Sequence, residues 1–227
     1  MSSTFSRNAV PLAEPGPQSH VPVIGNWDSS HTTIGAGVAI FHLASSRVVV
    51  CYHPEEKYWF LPKGRRDIGE DSGAGAEREG FEESKNAAST HVTEPVWTQL
   101  APISRSSQYI LFWYIAETLP PELEAQLSGK EKDENMAYQY PPKFDPGMTL
   151  KQRVEMEAEG YEPIKHEGTG VDSEEVLYES YLLPVEEAMR RLGRGVMADV
   201  VRRGWEQICV RKREEERGDG ENTGAEK

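Results

Sequence analysis

Apolar positions along the chain fall in short blocks that predict strands in the first half and helices near the end. Ile34 to Phe41 (IGAGVAIF) is an unbroken apolar and small-residue run, the pattern of a buried strand whose backbone is closely approached. Arg47 to Tyr52 (RVVVCY) predicts a second strand and Tyr58 to Leu61 a third, with His53-Pro54-Glu55-Glu56 as the turn between them. Val96 to Ile103, Gln108 to Glu117 and Val176 to Leu183 predict three more. Pro184 suits the first turn of a helix from Val185 to Leu192. A second C-terminal helix is expected from Val196 to Arg211, with Val196, Val200, Val201, Trp205 and Ile208 as its apolar face. Gly64 to Ser72 reads as a loop, and Gly73 to Lys85 as a helix. Strands on both sides of that helix, with a closing strand and helix, indicate an α/β or α+β domain.

Elsewhere the pattern lapses. Residues 1–26 are rich in serine and proline and are expected to be a disordered lead-in. Residues 213–227 read as a disordered acidic tail. The main domain then spans 27–212, interrupted at about 119–172 by a charged insertion rich in proline and glycine. A helix near Thr149 to Glu159 is compatible with its thin apolar stripe. The insertion reads either as surface decoration or as a lid beside a site, and no residue pattern separates the two.

Composition narrows the function classes. The formal net charge is −13, a field that repels phosphate backbones, so neither a nucleic-acid nor an anionic-membrane partner is expected. A small anionic substrate stays compatible, because a bound cation inverts the local charge. Cys51 and Cys209 sit in apolar surroundings and read as core thiols of a reducing compartment. The longest apolar run, Tyr109 to Ala116, is too short to cross a bilayer, and no secretory signal is visible. The cytoplasm is the expected location, with the nucleus as alternative.

The segment GRRDIGEDSGAGAEREGFEE, Gly64 to Glu83, carries the chemistry. On a helix, Glu79, Glu82 and Glu83 fall within roughly a 100° arc of one face. Like charges so spaced weaken a helix by about 0.2–0.5 kcal/mol per pair. Arg78 is expected to point away from the centre of that arc, leaving the cost without an offset. Three convergent acids are what a hard divalent cation requires.

Gly64, Glu70, Arg78, Glu79, Glu82 and Glu83 fall in register on the pattern G-x5-E-x7-R-E-U-x-E-E-x-G-U, where U is bulky and aliphatic. The segment therefore resembles the Nudix hydrolase signature, and Pro62-Lys63-Gly64 resembles the approach of members that read PKG before the box. Two positions depart. Gly80 stands where the family has an aliphatic residue, which is expected to loosen the helix by about 1 kcal/mol relative to alanine. Lys85 stands where the family has a capping glycine, and Asn86 is expected to take the left-handed conformation instead.

Over roughly Thr32 to Ile208 the resemblance implies an α/β/α sandwich with a mixed sheet, a box helix and two C-terminal helices. It implies hydrolysis of a phosphoanhydride in a nucleoside-diphosphate-linked or dinucleoside polyphosphate substrate. It implies Glu79, Glu82 and Glu83 as cation ligands, with Mg2+ the expected ion and Mn2+ the alternative. Glu70 then joins a second cation or holds Arg78 and the loop. Arg78 orients a carboxylate or steadies the diphosphate. Substrate phosphate is expected at Lys63, Gly64, Arg65 and Arg66, with Gly64 adopting a backbone conformation closed to other residues. The general base is Glu79 or Glu83 within the helix or a glutamate from a distant loop, for which Glu174 and Glu175 are candidates by position alone.

Tyr58, Trp59 and Tyr109 are either base-stacking groups or core aromatics. His31, His42 and His53 have no ligand spacing and read as surface or turn residues. Two alternatives stay open: a diphosphoinositol polyphosphate phosphohydrolase, using Lys63, Arg65 and Arg66 as its basic patch, and a binding module with weak turnover. The oligomeric state is open as well.

Overall fold

The computed structural model describes residues 31–90, 95–102, 108–128, 140–157, 160–169 and 173–222. The expected lead-in (1–26), Ile103 and the last five residues of the expected tail lie outside these.

Among the described residues, eight strands form one mixed sheet: β1 Thr32–His42, β2 Arg47–His53, β3 Tyr58–Phe60, β4 Lys63–Arg65, β5 Ala88–Thr90, β6 Trp97–Pro102, β7 Gln108–Thr118 and β8 Glu179–Pro184. Their order is β3-β2-β1-β7-β5, with β4 on β1, β6 on β7 and β8 on β2. The central pair, β1 and β7, is parallel and in register from Thr32 opposite Gln108 to Phe41 opposite Glu117. The other pairings are antiparallel. Both central strands are buried on two faces, which is why they read as unbroken apolar runs instead of alternating ones.

Alternate residues of those strands feed two layers. Ala36, Val38 and Ile40 of β1 and Tyr114 and Ala116 of β7 cluster with Ala76 of α1, Ser72–Ser84. Ala39, Phe41, Trp113 and Ile115 point the other way, onto Val185 and Ala188 of α4 (Val185–Leu192) and Val200, Val201 and Ile208 of α5 (Val196–Asn222). The result is an α/β/α sandwich. Each fully buried aliphatic side chain contributes about 1.5–3 kcal/mol.

Three details overturn expectation. Gly64 and Arg65, expected to open the loop, are strand: Lys63–Arg65 pairs with Gly35–Gly37 through backbone alone, and three residues carry no periodicity to read. The tail is helical through Asn222; Arg211 bonds Glu215 one turn on, and Glu215 accepts from the Leu150 N–H, which extends the helix by tertiary contact. His42 and His53 are buried, at 2% and 3% exposure, because the strands carrying them continue under neighbouring segments. His53 packs between Tyr58 and Tyr178.

The described parts of the insertion, 119–128, 140–157 and 160–169, are built into the fold, and the end of the expected 149–159 helix lies outside the described residues. The insertion holds α2 (Pro121–Ser128) and α3 (Leu150–Glu155), the latter opened by a capping box of Thr149 and Gln152. Leu150 and Arg153 are buried, and Arg153 bonds Glu117 of β7 while lying over the Phe144 ring.

Candidate active site

Helix α1 starts where the Asp71 carboxylate accepts from the Gly73 and Ala74 N–H groups. It stops at Lys85, not Asn86, in the left-handed conformation (φ 61°), with the Lys85 N–H bonded to the Phe81 carbonyl. Asn86 is instead bonded to Ser84 and buried. Gly80 also departs from expectation. A β-carbon there would lie 3.0 Å from Val38 and 3.2 Å from Ile40, so the glycine brings the helix backbone down onto β1.

Glu79, Glu82 and Glu83 share the face toward β4 and the 3-10 turn at Glu175–Leu177, and all three are buried. Arg78 does not point away from them. It is four residues before Glu82, hence about 40° from it around the axis. Its Nη1 donates to Glu79 at 2.9 Å and Glu82 at 2.8 Å. Its Nε and Nη2 donate to Glu70 at 3.0 and 3.1 Å, and Nη2 also to the Arg65 carbonyl at 2.7 Å. Every guanidinium nitrogen of Arg78 is engaged. Glu70 in turn accepts from the Asp67 N–H and the Tyr140 hydroxyl.

Positive charge is short here. Burial pushes the Glu83 carboxyl up to about 8, against the pull of Lys63, whose N–H donates to it at 2.6 Å. Burial pushes Glu79 up to about 7, against Arg78. Glu82 is raised in the same way. Burial also acts on Glu70, but the bonds from Arg78 and the Asp67 N–H outweigh it and hold this carboxyl below the usual range. Burial opposes the charge on Arg78; its carboxylate partners prevail and raise it. Three carboxylates are thus desolvated with Arg78 beside Glu79 and Glu82 and only Lys63 beside Glu83.

The floor of the site is Gly64. A β-carbon there would overlap the Glu79 carboxylate, and the Tyr109 hydroxyl donates to the Gly64 carbonyl at 2.7 Å. Gly64 has no positive φ, so space rather than a special dihedral requires glycine. Burial, with the charges of Glu79 and Glu83, pushes Tyr109 up to about 12. Lys63 is half-buried beside Glu83, while Arg65 and Arg66 are exposed at the rim.

The turn before β8 separates Glu174 from Glu175. Glu175 adds its charge to burial in raising Glu79, Glu82 and Glu83, whereas Glu174 lies 3.4 Å from His53. Tyr58 is 40% exposed, against His53 and Phe60. Trp59 packs with Tyr52 and Tyr181 under Arg191, on the sheet face opposite α1.

Tyr140, Lys143, Phe144, Arg153, His166 and Thr169 were not legible as site-related residues. Lys143 bonds the buried Glu77 of α1, the Thr169 hydroxyl donates to the Glu82 carbonyl, and the His166 N–H donates to the Lys85 carbonyl at 2.8 Å. The one sequence cue was Glu117, a charge directly after the apolar run of β7 and still within the strand, which calls for a cation elsewhere.

Among the described residues, no three His, Cys, Asp or Glu side chains are already gathered as a cation cage. Arg78 Nη1 stands between two of the acids instead. The donor chemistry nevertheless fits a hard divalent ion: three buried carboxylates, oxygen donors only, with less positive charge than their burial calls for.

A family model described as the NUDIX domain matches residues 33–152. No curated protein matches the chain. Among solved structures, a C. elegans Ap4A hydrolase binary complex is similar at 15% identity, covering 78% of this chain and 98% of that one, with a TM-score of 0.45. A NUDIX hydrolase from Nitrosomonas europaea is 12% identical over 78% of this chain and 89% of its own, also at 0.45. A NUDIX-family hydrolase from Clostridium perfringens is 13% identical over 78% and 97%, at 0.43. Likenesses so distant assign no substrate, and membership rests on the domain match. The chain belongs to the Nudix family and is a Nudix-type pyrophosphohydrolase.

Proposed function

We propose that this protein is a divalent-cation-dependent hydrolase of a nucleoside-diphosphate-linked or dinucleoside polyphosphate substrate, with Mg2+ as its ion. The observation that carries the reading is the charge shortfall around Glu79, Glu82 and Glu83. Buried carboxylates raised toward neutrality are stabilised by added positive charge, and a cation among them releases that strain.

Glu79, Glu82 and Glu83 would hold the ion. When bound, it neutralises phosphoryl oxygens and acidifies water. Arg78 orients Glu79 and Glu82 through Nη1, and Glu70 anchors Arg78 through its fork, a role that accounts for its full set of donors. Lys63 sits beside Glu83, and Arg65 and Arg66 line the rim, in reach of an anionic phosphate chain. Glu175 is the stronger of the two general-base candidates outside α1: its charge acts on the acids, while Glu174 faces His53. The reading includes a main domain over 27–212. It also includes a location in cytoplasm or nucleus, supported by two free thiols. No helix among the described residues is long and apolar enough to cross a membrane.

The test is phosphate or nucleotide release from nucleotide and inositol pyrophosphates, with and without Mg2+, products read by mass. Mg2+-dependent release from a nucleoside-linked diphosphate, lowered roughly 1,000-fold in the double variant Glu82→Gln/Glu83→Gln, is expected. Equal release by both proteins defeats the reading. Release confined to inositol pyrophosphates moves the substrate to that class.

A further inference from the structure

We propose that Tyr140, from the insertion, is a positioning residue for the acid centre, acting through Glu70 and Arg78. The inference rests on the hydrolase reading above and adds a residue that lies outside the family's signature.

Glu70 carries four donors: Arg78 Nε on Oε1 at 3.0 Å, Arg78 Nη2 on Oε2 at 3.1 Å, the Asp67 N–H on Oε2 at 3.0 Å and the Tyr140 hydroxyl on Oε1 at 3.1 Å. A carboxylate offers about four lone-pair sites, so these donors fill it and fix its plane. A fixed plane fixes the guanidinium that lies in it, because an arginine–carboxylate fork is bidentate and planar. The same guanidinium holds Glu79 and Glu82 through Nη1. The chain of contact from Tyr140 to the candidate ligands is therefore three bonds long, with no gap.

Three of those four donors come from the box itself and its loop. Tyr140 comes from 70 residues away, so its placement needs a separate cause. The residues after it supply one. Lys143 bonds Glu77, which is 1% exposed on the far side of α1. Phe144 is buried beneath Arg153, which bonds Glu117 of β7. The segment is thus tied to both the box helix and the central strand within four residues of Tyr140. The ring stays 46% exposed. What this side chain contributes is therefore its hydroxyl more than apolar burial, and Tyr140→Phe is expected to leave the fold intact.

The experiment compares wild type with Tyr140→Phe. In Mg2+-free protein, the Arg78 Nε–H resonance, assigned through Arg78→Lys, is expected to exchange about threefold to tenfold faster once the hydroxyl is gone. In Mg2+-loaded protein, kcat is expected to fall about threefold with KM changed less than about 1.5-fold, since the tyrosine reaches the ligands of the centre only through Glu70 and Arg78. In a Glu70→Gln background the same substitution should have no further effect on either readout. The thermal midpoint should stay within about 2 °C. Unchanged Arg78 exchange overturns the inference, and so does faster exchange with kcat unaltered. A kcat loss that persists in the Glu70→Gln background overturns it too, by showing another route. Should neither protein hydrolyse any pyrophosphate, the hydrolase reading falls, and the Mg2+-free exchange alone decides whether Tyr140 holds Arg78.

Discussion

The α-carbon of Gly64 lies against the carboxylate of Glu79, in space that any β-carbon would fill. The strand that carries Gly64 is held there from both sides: Gly64 pairs with Ala36, and its carbonyl accepts from Tyr109. The acid's position is thus set by the absence of a side chain opposite it. Two parts of the Nudix box that are far apart in sequence are one packing unit.

Gly64→Ala should separate activity from stability. The methyl meets the mobile end of a glutamate rather than backbone, so the fold yields easily and the melting temperature moves by less than about 3 °C. Glu79 must swing aside, and a displacement of about 1 Å at a reacting centre costs on the order of 100-fold in rate. Steady-state kinetics beside a melting curve checks both; an active Gly64→Ala would dissociate this contact from function.

Gly80→Leu restores the residue type usual in the family and should nevertheless destabilise this chain. Val38 and Ile40 already stand 3.0 and 3.2 Å from where a β-carbon would be, and overpacking of this kind costs about 1–3 kcal/mol. Urea denaturation measures it. A gain in stability would mean that α1 can lift from β1 freely.

Arg153→Met removes the guanidinium from Glu117, whose carboxylate is nearly inaccessible. Breaking one side of a buried pair costs about 3–5 kcal/mol, whereas Arg153→Met with Glu117→Leu should recover most of it. Limited proteolysis should then cut within 140–157 in the single variant first. Equal stability of the single and double variants would show that the pair is not coupled.

The cation-free protein should lose stability as pH rises. Glu79 and Glu83 have folded-state values of about 7 and about 8 against 4.5 for an ordinary glutamate, so between those limits the folded chain holds more protons than the unfolded one. Stability therefore falls across that window, fully present near pH 4.5 as far as these two groups are concerned and lost above about pH 8. A melting temperature in chelator lower by roughly 4 °C or more at pH 8 than at pH 6 is expected. Millimolar Mg2+ should flatten the slope by stabilising the ionised form. A rising slope in chelator would contradict the burial of these carboxylates.

Several features were legible without coordinates because they depend on neighbours in sequence. The strands β1, β2 and β7 announce themselves as apolar runs, and the gathering of Glu79, Glu82 and Glu83 on one face follows from the pitch of a helix. Spacing alone supplies those. The short strands β4 and β5 were not legible, since three residues hydrogen-bonded through backbone leave no periodic trace.

What the amino-acid order determined by itself was therefore the set of acids and the helix that presents them. Tertiary structure decided what surrounds that set. Arg78 turns inward because Glu70, brought back by the loop, and the Arg65 carbonyl of a strand meet it there. Lys85 accepts a left-handed backbone, and His166 from the insertion bonds its carbonyl. Glu77 and Glu117 tolerate burial because Lys143 and Arg153 arrive from the same insertion. The Lys143, Arg153 and His166 pairings join residues far apart in the chain, the Arg78 pairings close a loop of 8 to 13 residues, and a buried charge declares only that it needs a partner, never which one.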